Sequence, residues 1–145
     1  MPLWLAGIVA GLIGGVGMAM VAMMAMPMMG QNFLMPVKLM AGTFEGEGAV
    51  DGGGGTVMVG MMIHMMTSAI LGLVFALIIA ALGWSGFWPL VIGGIVYALI
   101  VWVMTEFGVL PLVDKVMRER MSPALFAMTH VVYGFLLGLF LFLFR

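Results

Sequence analysis

The only two histidines in the chain sit in matching surroundings. His64 opens the series His64, Ser68, Gly72, and His130 opens the series His130, Gly134, Gly138, both at steps of four. Steps of four keep side chains on one face of a helix. Each stretch therefore reads as a helix with a stripe of one imidazole and two small residues. Both lie in strongly apolar runs, where an ionisable group is costly and usually turns into a helix bundle. A third such group is Glu106, flanked by Met104, Thr105 and Phe107.

These residue types suit three kinds of chemistry. His64 and His130 on two helices can serve as the axial ligands of haem b. His64, His130 and Glu106 can hold a metal ion, and neighbouring methionines extend that set to copper(I). The same three groups can relay protons or another ion. The simplest alternative is architectural. The histidines then bond to backbone carbonyls, Ser68, Thr129 or Glu106 and fix helix register, through contacts worth about 0.6 to 2 kcal/mol each in a bilayer.

The elements that carry these residues follow from composition. Of 145 residues, 65% are hydrophobic and 8% charged, with a mean hydropathy of +1.29. A soluble domain is nearer half apolar and a quarter charged, so this chain belongs in a membrane. A net charge of -1 offers no footprint for nucleic acid, and the lack of cysteine removes disulfides and thiolate sites. The 19 methionines read first as flexible apolar filler and second as soft ligands. The start lacks a basic signal-peptide region, so its apolar run is expected to stay as a span.

Four spans are expected, at about 3–26, 57–82, 90–110 and 124–144, in one transmembrane domain covering 1–145. The first carries Gly7, Gly11, Gly15 and Ala19 at steps of four, a surface on which another helix can pack backbone to backbone. Pro27 is expected to end it. The long loop 27–56 reads as an interfacial piece broken at Pro36, then a flexible linker ending in four glycines. No Lys-Ser/Thr follows those glycines, so they are not a phosphate loop. The tight turn at 83–89 predicts an antiparallel hairpin of the second and third spans. In the third span Gly94, Ala98, Trp102 and Glu106 share one stripe. Asp114, Lys115, Arg118, Glu119 and Arg120 form a charged loop, and Ser122 caps the fourth span. Tyr133 is expected to donate a hydrogen bond inside the bundle.

Spans one and two resemble spans three and four: a Gly-rich helix ending at proline, a charged loop, then a histidine motif. The fold class is thus all-α, an integral membrane four-helix bundle of two antiparallel hairpins arranged as a parallel repeat. His64 and His130 then lie at one depth, with Glu106 as their expected neighbour and a layer of methionines around them.

The chain also resembles a group of small bacterial four-span membrane proteins of uncharacterised activity. The resemblance rests on the Gly-rich first span, His64 to Gly72, Trp102 with Pro111-Leu112, and His130-Val131-Val132-Tyr133-Gly134 through Gly138. It implies a bacterial inner membrane and no particular activity. Lys38, Lys115, Arg118 and Arg120 fall in the first and third loops, which places those loops in the cytoplasm and both termini outside. No nucleophile and base occur together outside the spans, so a non-enzymatic role is expected. The leading expectation is an accessory or structural subunit that contacts lipid and packs, through the stripes of Gly7, Gly11, Gly15, Gly94, Gly134 and Gly138, against other subunits or itself. The alternative is a haem-, metal- or ion-handling site at His64, His130 and Glu106.

Overall fold

The computed structural model describes all 145 residues, and it is helical throughout with no strand. The order is α1 (Leu3–Met28), α2 (Met35–Glu45), a 3-10 turn (Gly46–Asp51), α3 (Gly54–Leu82) and α4 (Phe87–Met104). A single π turn (Thr105–Val109) leads into α5 (Leu110–Val113), followed by α6 (Lys115–Arg120) and α7 (Pro123–Phe144). Four stretches are long and apolar enough to cross a membrane: Leu3–Met28, Gly54–Leu82, Phe87–Val113 and Pro123–Phe144. The molecule is a multi-pass helical membrane bundle.

Local chemistry sets the helix ends. The first span does not stop at Pro27, which sits in the last turn of α1. It stops at Gly30, whose φ of 73° lets the Gly30 and Gln31 amides reach back to the carbonyls of Pro27 and Met26. That is the two-bond glycine cap of a helix C-terminus. Gly83, with φ of 64°, closes α3 in the same way onto Ala80 and Ile79.

Packing in a bilayer gains little from hydrophobic burial, so helices associate where small residues let backbones meet. α1 lies on α3 through Gly7, Gly11 and Gly15 against Ser68, Gly72 and Ala76. α4 lies on α7 through Gly94 and Ala98 against Gly134 and Gly138. α1 and α7 join the two pairs, with the ring of Tyr133 over Gly14 and Leu136 over Gly17. Phe75, Ala76, Ile79, Leu90, Leu137 and Leu141 fill the interior at the end near the termini.

The short turn between α3 and α4 makes the expected antiparallel hairpin, though a loosely packed one. These helices touch little, because the residues between them are bulky: Phe75, Ile78, Tyr97, Ile92 and Ile100 wedge a groove open at that end. The ring of helices is therefore α3–α1–α7–α4, open along the α3–α4 seam. One expectation is corrected: the long loop is not a flexible linker. Pro36 begins α2 rather than breaking it, since proline fits the first helical turn. The stretch Gly46–Asp51 forms a 3-10 turn that buries Ala49, and Gly54 and Gly55 already belong to α3. Gly60 lets α2 lie directly on α3, where any side chain would meet the Val37 carbonyl. Together α2 and α6 cap the end of the bundle over Met26, Leu39, Leu110, Val116, Met117 and Phe126.

Candidate functional site

Both histidines reach one cavity of about 470 Å³, under the α2–α6 cap and beside the α3–α4 seam. Its walls come from every major element, including Met18 of α1, Met40 and Thr43 of α2, Thr67 and Leu71 of α3, and Val101 and Thr105 of α4. Asp114 and Met117 line it from the cap, and Phe126, His130 and Tyr133 from α7. A mostly apolar cavity of this size with a few converging polar groups is the usual form of a small-molecule site.

The polar groups are held by bonds across the glycine contacts. Gly15 has no side chain, so His64 approaches the α1 backbone and its Nε2–H donates to the Gly15 carbonyl at 2.8 Å. Ser68 donates to the His64 carbonyl at 2.7 Å, within α3. Tyr133 donates from α7 to the Ser68 carbonyl at 2.8 Å. On α7, His130 donates through Nδ1–H to the Phe126 carbonyl at 2.8 Å, and Thr129 donates to the same oxygen. The Phe126 ring stands edge-on to the imidazole, with centroids 4.5 Å apart. Tyr97 spans the seam, donating to the Leu71 carbonyl at 2.9 Å, and divides this cavity from the apolar groove nearer the termini.

A carbonyl can only accept, so these bonds fix the tautomers of the neutral rings. His64 keeps Nδ1 bare and His130 keeps Nε2 bare. Neither bare nitrogen is walled in, because the buried polar atoms without partners are only Trp102 Nε1 and Glu106 Oε2. Both rings belong to the cavity wall, and each keeps one nitrogen free to accept a hydrogen bond. A bis-histidine haem is served poorly by this arrangement: His130 offers Nε2, whereas His64 has committed Nε2 to Gly15.

The structure separates Glu106 from the histidines. The stripe of Gly94, Ala98, Trp102 and Glu106 faces α7, and the cavity is lined by the neighbouring face with Val101, Met104 and Thr105. Glu106 is 1% exposed and accepts from Arg118 Nε at 3.0 Å, while the Arg118 guanidinium lies over the Phe107 ring at 5.6 Å. No three His, Cys, Asp or Glu residues come close enough together to hold a metal ion.

The carboxylate at the cavity is instead Asp114, read from sequence only as a loop charge. It is 2% exposed and caps α6 by accepting from the Met117 amide at 3.0 Å. Thr43 donates to it at 3.4 Å, and Gly42 makes room for it against α2. Burial raises its pKa from the ordinary value, and the bonds from Met117 and Thr43 oppose that rise. Its position just before a short helical run was the one available sequence signal. Of the other residues singled out by sequence, Gly7, Gly11, Gly15, Ser68, Gly72, Gly94, Gly134 and Gly138 all lie in contacts inside the chain.

The fold and cavity define a class, the multi-pass helical membrane proteins with an internal, mostly apolar cavity. No family model, curated protein or solved structure matches the chain.

Proposed function

We propose that this protein binds a small amphiphile, drawn from the bilayer through the α3–α4 seam, in the cavity between His64 and His130. The observation that carries this reading is the pair of bare imidazole nitrogens at a largely apolar cavity of about 470 Å³. Acceptors of that kind select a ligand whose head donates hydrogen bonds, such as a phenol, a quinol or an alkylamine, and whose body is apolar. Ile63, Leu71 and Val101 would face the body. The seam supports entry from the side, since α3 and α4 touch little along it and the exposed Met104, Val109 and Val113 border the cavity.

The accessory-subunit reading loses one of its supports, because the small-residue stripes meet partners within the chain. A proton relay through the cavity would use Asp114 in place of Glu106. The matching α1–α3 and α4–α7 contacts support reading the two helix pairs as a duplication. Lys38, Lys115, Arg118 and Arg120 cluster on the α2–α6 cap, which supports a cytoplasmic cap with outward termini in a bacterial inner membrane.

The test is binding of 4-nonylphenol to the protein in lipid nanodiscs, with 4-nonylanisole as a probe of equal tail that has no hydroxyl donor. Saturable binding of the phenol, weakened in His130→Ala and absent for the anisole, is expected. Equal uptake of both probes by wild type and variant would mean that they only partition into lipid, and would end this reading.

A further inference from the structure

A second, much smaller cavity lies behind His64, on the side of the cap. Its volume is about 40 Å³, and four thioethers line it: Met18 of α1, Met40 of α2, Met117 of α6, and Met121 just beyond α6. His64 belongs to its wall as well as to that of the larger cavity. The space suits one ion or one water and is too small for an organic ligand. A water there would need two to four polar partners, yet Thr129 and His64 are the only polar side chains in the lining, and Thr129 is already bonded to Phe126. Methionine is the side chain best able to collapse into a gap, so a gap ringed by four of them is not explained by filling. What these walls do offer is soft sulfur with one imidazole, the donor set that favours copper(I) over zinc, calcium or magnesium.

We infer that Met18, Met40, Met117 and Met121, with His64, form a binding site for a soft monovalent metal ion of the copper(I) class. The second shell fits that role. His64 donates Nε2–H to the Gly15 carbonyl at 2.8 Å, which orients the ring and leaves Nδ1 as the ligating atom. Ligating histidines are commonly fixed in this way by a carbonyl on the other nitrogen. The ligands come from α1, α2, α3 and the α6 region, so the ion ties the α2–α6 cap to two membrane spans. No oxygen donor with a formal charge enters the set, which suits a singly charged soft ion. Met18, Met40, Met117 and His64 also border the larger cavity, and an ion on His64 Nδ1 would compete with an amphiphile for that nitrogen, but the inference does not depend on the amphiphile reading.

The experiment titrates purified protein in detergent with silver(I) as nitrate in chloride-free buffer, and with copper(I) kept reduced by ascorbate against a chromogenic copper(I) chelator. One tight equivalent is expected. Met40→Leu and Met117→Leu should each weaken it by about tenfold or more, since even outer-shell changes at metal sites reach that scale. Leucine conserves volume well, so thermal unfolding of the metal-free variants should stay close to wild type. Met62→Leu, at an exposed position on α3, should leave the tight equivalent intact. X-ray absorption at the copper edge should show sulfur with one nitrogen. The absence of a tight equivalent, an equal loss in Met62→Leu, or a shell of oxygen alone would each overturn the inference. Met121 lines only the smaller cavity, so Met121→Leu should weaken metal binding and leave nonylphenol binding intact, and failure of either reading is seen separately.

Discussion

Tyr133 on α7 donates its hydroxyl proton to the main-chain carbonyl of Ser68 on α3, at 2.8 Å and deep in the bundle. The bond runs between the helices that carry the two histidines, and it sets their relative depth. Tyr133→Phe keeps the ring over Gly14 and removes only this bond. The expected cost is about 1 kcal/mol, in line with polar contacts between membrane helices. Unfolding in mixed detergent and dodecyl sulfate measures it, and an unchanged midpoint would show that the bond contributes nothing net.

The glycine contacts carry a larger effect. At Gly72 any added side chain meets the Gly7 carbonyl, main chain against main chain, where nothing can turn away. Gly72→Leu should lower the midpoint of unfolding sharply, by more than about 2 kcal/mol, and separate α1 from α3. Gly48→Ala is the matched control, since a Cβ there meets nothing within 4 Å. Its stability should stay within about 0.5 kcal/mol of wild type.

Removing Arg118 and removing Glu106 should not cost the same. Arg118→Met strands a carboxylate that is 1% exposed, at an expected cost of about 3 kcal/mol. Glu106→Gln leaves Arg118 partly solvated and free to turn outward, so its cost should be much smaller. Combining Glu106→Gln with Arg118→Met should recover most of the loss. A double variant as unstable as Arg118→Met alone would show that the arginine acts through its packing on Phe107 instead.

Asp114 makes stability depend on pH. Its pKa in the folded protein is raised by burial, so the folded state binds its proton more tightly than the unfolded chain does. The resulting stabilisation is present below the ordinary carboxylate pKa and is lost as pH rises through the folded value. Unfolding midpoints measured upward from pH 4 should therefore fall across that window. Asp114→Asn keeps an oxygen for the Met117 amide and should flatten the profile. A wild-type profile that rises over the same range contradicts the assignment.

Sequence reading reached the spans, the histidine layer and the Tyr133 bond because each rests on local rules: apolar length, steps of four, and the cost of a polar group in lipid. It missed what depends on helix rotation. The stripe ending at Glu106 was legible, but only the packing of Gly94 on Gly134 and Gly138 decides that this stripe faces α7. Asp114 escaped for a related reason. Its burial comes from α2 folding back over Gly60, a contact between residues far apart in the chain. The methionines could be counted but not sorted, because their flexible chains follow no period. Only the closure of the cap brings Met18, Met40, Met117 and Met121 around one small space.

The open seam between α3 and α4 gives the surrounding lipid a part in the architecture. Where the histidine cavity meets that seam, the exposed Met104, Val109 and Val113 are what acyl chains would touch in a bilayer. The width of the opening would then follow bilayer thickness and lateral pressure. Two membranes of different composition would in effect hold two slightly different proteins, with the Tyr97–Leu71 bond as the crossbar that resists the change.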